Sequence, residues 1–134
     1  MRIRRRDFIA AGVVTITATV AGTGVFAQHG ETMYGLIGKM TTVPGKRDEL
    51  IAILLEGLGG MPGCLSYIVA KDPNNADAIW ITEAWDSKAS HEASLSLPSV
   101  KAAIAKGKPL IAGFSDRVDT TPVGGHGLVS PARR

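Results

Sequence analysis

Residues 78–98 read AIWITEAWDSKASHEASLSLP, and the change of pattern inside that stretch sets the architecture. Ala78–Trp85 is rich in β-branched and aromatic residues, the composition of a strand. Asp86 and Ser87 then offer oxygens that can cap a helix, and Lys88–Ser94 is a small, helix-tolerant run. A strand therefore hands over to a helix. Trp80 and Trp85 lie before the junction and His91 just after it. Strand alternation puts Glu83 and Trp85 on one face with Ile79 and Ile81, and Trp80 on the other.

Working outward, Leu65–Lys71 alternates as a strand, and Asp72-Pro73-Asn74-Asn75 is a hairpin-type loop, so this strand runs antiparallel to the next. Met33–Thr42 reads as a first strand in which Gly35 and Gly38 allow a close backbone approach. Val43-Pro44-Gly45 is a turn. Lys46–Gly57 is a helix with Asp48 and Glu49 in its first turn, and Leu50, Ile53, Leu54 and Leu58 on one apolar face. After His91 the helical pattern breaks at Leu97-Pro98 and restarts over Ser99–Lys106. Lys108–Gly113 reads as a connector and Phe114–Thr120 as a last strand.

The order βαββαβ predicts an α+β, ferredoxin-like fold over residues 28–120, with two helices on one face of an antiparallel sheet. Residues 121–134 form a tail without a core pattern. The sheet's second face is also apolar and has no third layer, which predicts a homodimer.

The head, residues 1–27, is basic, then weakly apolar, then small: an export signal, with Arg5-Arg6-Asp7-Phe8-Ile9 close to the twin-arginine consensus. Val25-Phe26-Ala27 fits a cleavage site and predicts a periplasmic or secreted protein. Membrane contact is expected only if this segment stays uncleaved. Four arginines against one aspartate in the head account for the whole formal charge of +3. The remainder is neutral, so the basic balance gives no reason to expect nucleic acid. Cys64 is the only cysteine, which excludes an internal disulfide.

His29, His91 and His126 are too scattered for a metal motif, and no phosphate loop, nucleophile elbow or flavin fingerprint is present. His91 is the candidate base, since imidazole titrates near working pH. Trp85 and Tyr67 are candidate walls of a pocket at this junction. Glu83, among apolar neighbours, is a second candidate base or a partner for Arg117.

In order and spacing, Pro44-Gly45, Pro62-Gly63-Cys64, Glu83-Ala84-Trp85 and Ser94-Leu95 through Pro98 resemble the antibiotic biosynthesis monooxygenase family, over about Met33 to Thr120. Within it, the chain is similar to the small quinol monooxygenases. The resemblance implies a dimeric α+β barrel with a pocket between sheet and helices. It also implies oxidation of a phenol or quinol by O2 without flavin or metal. For that reaction the chain's own candidate catalytic base is His91, on the chemistry of its imidazole, with Trp85, Tyr67 and Glu83 as candidate substrate contacts. The alternative is a dimeric small-molecule or haem-binding module without turnover. Quinol-type relatives commonly carry histidines at the positions of Ser94 and Ser99. Where the haem-degrading branch uses an asparagine, this chain has Gly38.

Overall fold

The computed structural model describes residues 32–128. The twin-arginine-like head, the cleavage site after Ala27, His29 and residues 129–134 of the tail lie outside the described residues. Along the chain come β1 (Tyr34–Thr42), α1 (Arg47–Glu56), β2 (Cys64–Lys71), β3 (Ala78–Trp85), α2 (Lys88–Ser94), α3 (Pro98–Gly107), a 3-10 turn over Lys108–Leu110, and β4 (Ile111–Thr120). The four strands form one antiparallel sheet in the order β2-β3-β1-β4. This is the ferredoxin-like arrangement. No helix among the described residues is long and apolar enough to cross a membrane.

The second helical region is two helices, so the sheet carries three. Leu97 is extended, with ψ 137, and Pro98 opens α3 at a position where its missing N–H costs nothing. Ser87 caps α2, its Oγ accepting from Ser90 N at 3.1 Å. Asp86 does not share that role: its Oδ1 is buried without a partner.

Register fixes the faces. Tyr34, Leu36, Gly38 and Met40 of β1 stand opposite Trp85, Glu83, Ile81 and Ile79 of β3, and Tyr67 and Val69 of β2 oppose Glu83 and Ile81. These residues point toward the helices. Leu50 of α1 is fully buried against Ile79 and Ile81, and Met40, Leu54, Tyr67 and Ile111 pack around them. Gly107 lies so close that a Cβ there would sit 2.9 Å from Leu50 Cδ1.

The connector expected over Lys108–Gly113 is half strand. Ile111 already pairs with Thr42 and Gly113 with Thr41. A strand start set by its neighbour leaves no alternating pattern in the sequence. β4 also carries a bulge near Asp116, whose φ is 50, with the register slipping between Ile37 and Lys39. The extra residue keeps Phe114, opposite Met40, and Asp119, opposite Leu36, on the same face. Of the two glycines in β1, only Gly35 meets a close approach: a Cβ there would collide with Thr120 Oγ1 and come within 2.9 Å of Pro122 Cγ. Gly38 faces open space.

Candidate functional site

Between sheet and helices lies a cavity of about 720 Å³. Its wall is mostly apolar: Leu50 and Leu54 from α1, Leu58 from the turn after it, Val100 and Ile104 from α3, and Met40 and Ile111 from the sheet. Four residues singled out in the sequence, Tyr67, Glu83, Trp85 and His91, all line it. Strand pairing brings Tyr67 and Glu83 directly opposite one another. The short α2, held by the Ser87 cap, sets His91 over the end of β3.

Glu83 is the hub. Its Oε2 accepts from Trp85 Nε1 at 2.8 Å and lies 3.7 Å from His91 Nε2. The two side chains are only 9% and 15% exposed. Burial pushes the Glu83 carboxyl above the usual carboxylate range, and the Trp85 N–H, His91 and Arg117 partly oppose that push. The anticipated partner Arg117 instead lies 3.6 Å from Asp119. Burial also raises the Tyr67 hydroxyl, and Glu83 adds to the effect, so Tyr67 is a neutral donor at ordinary pH.

The His91 ring is held from two sides. Its centroid is 5.1 Å from that of Tyr34 and 5.4 Å from that of Trp85, the latter edge to face. Sequence reasoning did not single out Tyr34; the available signal was its place at the start of β1, opposite Trp85. Ser94, one turn beyond His91, also lines the cavity and donates to the His91 carbonyl at 2.6 Å. Ser99 lies off the cavity, in a shallow groove between α1 and α3.

The Cys64 thiol donates to the Ser66 carbonyl at 3.7 Å, and burial raises its pKa. It is not poised as a thiolate. No group of three metal-ligating side chains occurs among the described residues, and His126 is exposed. The arrangement can take a proton from an acidic hydroxyl, hold an aromatic ring against Trp85, and exclude water from the reacting atoms.

Among protein families, the one described as Antibiotic biosynthesis monooxygenase matches residues 33–106. Among solved structures, the chain is similar to a Chloroflexus aurantiacus protein carrying the antibiotic biosynthesis monooxygenase description. The two are 67% identical with a TM-score of 0.71, over 72% of this chain and 99% of that one. A Caulobacter crescentus protein of the same description is 21% identical with a TM-score of 0.64, over 71% of this chain and 93% of its own. A Pseudomonas aeruginosa protein is 19% identical with a TM-score of 0.62, over 72% and 99%. At the last two identities the shared property is the fold. No curated protein matches.

Proposed function

The chain belongs to the antibiotic biosynthesis monooxygenase family, and on that premise we propose that it is an exported, homodimeric monooxygenase that oxidises a quinol or similar phenol with O2, drawing on no flavin, haem or metal. One observation carries the reading: an apolar cavity whose buried end gathers Glu83, His91 and Tyr67 beside Trp85. A phenolate is electron-rich enough to reduce O2 itself. The protein then has to deprotonate it, orient it and keep water out.

In this mechanism His91, held by Tyr34 and Trp85, takes the phenolic proton, and Glu83 stabilises the imidazolium across 3.7 Å. The phenolate passes one electron to O2, and the resulting radical pair combines to form a C–O bond. His91 returns its proton to the distal peroxide oxygen. The O–O bond breaks, and that oxygen leaves as hydroxide and takes up the proton released from the ring carbon. One oxygen atom ends in the hydroxylated quinone and the other in water. Tyr67 donates to the second oxygen of the ring.

Homodimerisation is supported by the sheet's other face. Ile68, Thr82, Ile37 and Val118 align across all four strands, and all are exposed in the single chain. The charge beside this row is already paired: Lys39 Nζ lies 2.9 Å from Asp72 Oδ2, which also accepts from Trp80 Nε1 at 3.0 Å. A face with its charges satisfied internally is ready to be desolvated. Trp80 would then sit at the subunit contact.

The test is O2 uptake by purified protein with a panel of hydroquinones, wild type against His91→Ala. Turnover that falls on substitution is expected. Its absence from wild type with every hydroquinone would sink the proposal.

A further inference from the structure

The cavity is polar at its buried end and apolar at its mouth. Leu95, Ile104 and Phe114 all line it, yet they are 48%, 50% and 71% exposed. They come from three separate segments: the end of α2, α3 and β4. A single exposed apolar side chain needs no explanation, but three on the lining of one cavity form a patch that calls for a cover. Phe114 owes its place to the bulge at Asp116, which lets both ends of β4 present side chains to the helix face. The one lysine on the lining, Lys108, is exposed and can keep its ammonium in water while its stem lies along the apolar rim.

Volume points the same way. Binding cavities commonly enclose most of a ligand's surface. A bare hydroquinone ring at Glu83 and His91 would leave most of the roughly 720 Å³ to water, against walls of leucine, isoleucine and valine. A ligand that fills the space must be apolar away from its reactive end, and long enough to reach the rim.

We infer that the substrate is an amphiphile: a phenolic head at Glu83 and His91, and an alkyl or prenyl tail that runs out between α3 and β4 to cover Ile104 and Phe114. This rests on the function proposed for the buried end and adds the tail to it. Water leaving the rim supplies affinity, while the head alone is positioned for chemistry.

The probes are 4-n-alkylphenols from methyl to decyl, and 4-prenylphenol and 4-geranylphenol, whose C5 and C10 tails match the pentyl and decyl members. Binding is read from the quenching of tryptophan fluorescence. In wild type the Kd should tighten roughly two- to fourfold per methylene until the tail clears the rim. The linear and isoprenoid arms, compared at equal carbon number, assign the tail class. Phe114→Ser and Ile104→Ser change exposed residues, and each should shrink the ratio between the methyl and heptyl dissociation constants. Length-independent binding in wild type, or the same ratio in both variants as in wild type, overturns the tail and leaves the proposed function standing. Failure of every phenol to bind overturns both.

Discussion

Glu83 Oε2 and His91 Nε2 stand 3.7 Å apart at the buried end of the cavity, one carried by a strand and the other by the short helix that follows it. That spacing is longer than a hydrogen bond and short enough for strong charge coupling. His91→Ala should lower O2 uptake with a responsive hydroquinone by about 10²- to 10⁴-fold, the range for losing a general base. Some stability should be lost as well, because the ring is only 15% exposed and packs between Tyr34 and Trp85. The paired measurement is turnover and thermal midpoint on the same preparation; wild-type turnover in the variant would remove His91 from the mechanism.

Glu83→Gln separates charge from shape. The amide oxygen can still accept from Trp85 Nε1, so the indole stays placed. Burial raises the Glu83 carboxyl in the folded state, so the folded chain holds that proton more tightly than the unfolded chain does. The associated stability is fully present below the unfolded pKa and is lost as pH rises through the raised one. Glutamine has no such loss. The difference in thermal midpoint, variant minus wild type, should therefore be more positive at pH 7 than at pH 4, with kcat reduced at pH 7. A difference that does not change with pH would mean that Glu83 is not burdened by burial.

Ser87 governs His91 from four residues away. Its Oγ caps the first turn of α2, and the helix is only Lys88–Ser94 long. Ser87→Ala should cost about 0.5–2 kcal/mol in urea unfolding. It should also lower kcat more than it changes KM, because the imidazole loses its fixed place. Ser87→Asp should rescue both. Loss of stability without any change in kcat would show that α2 holds its position by packing alone.

The strand-to-helix junction was legible because composition, alternation and a capping serine agree over a few residues. The faces of β3 followed from a period of two. What the helices do to the strands was not legible. Glu83 has a basic residue on β4 within the same fold, yet its partner is His91, since the choice depends on how α2 lies over β3. Tyr34 was legible only as a residue of the first strand; its register opposite Trp85 comes from how β1 pairs with β3. Phe114 could be placed only with the bulge at Asp116 in hand, and a bulge leaves no periodic trace.

Leu50 is where core and cavity meet. It is fully buried against Ile79 and Ile81 and also lines the cavity. Leu50→Ala should cost about 2–5 kcal/mol, the range for truncating a buried leucine. The added space opens toward the ligand, so long-tailed phenols should recover part of the thermal midpoint when present in excess. Equal recovery by 4-methylphenol and by its heptyl homologue would argue against a shared boundary.

Ile37 sits in the middle of the exposed row on the sheet's other face, flanked by Thr82 on β3 and Val118 on β4. It points away from the cavity, so a substitution there tests assembly without touching Glu83 or His91. Ile37→Lys places an unpaired ammonium where the proposed partner would bury it, which an interface tolerates poorly. In light-scattering chromatography, wild type should elute at twice the chain mass and Ile37→Lys at the chain mass. Its near-ultraviolet circular dichroism should match that of wild type, as expected for a site already exposed in the single chain. Ile68→Lys, at the β2 end of the same row, should weaken the dimer less, because a lysine nearer the edge can extend its charge to water. A wild-type protein that stays monomeric at 100 μM would refute the dimer and leave the row of Ile37, Ile68 and Val118 to some other cover.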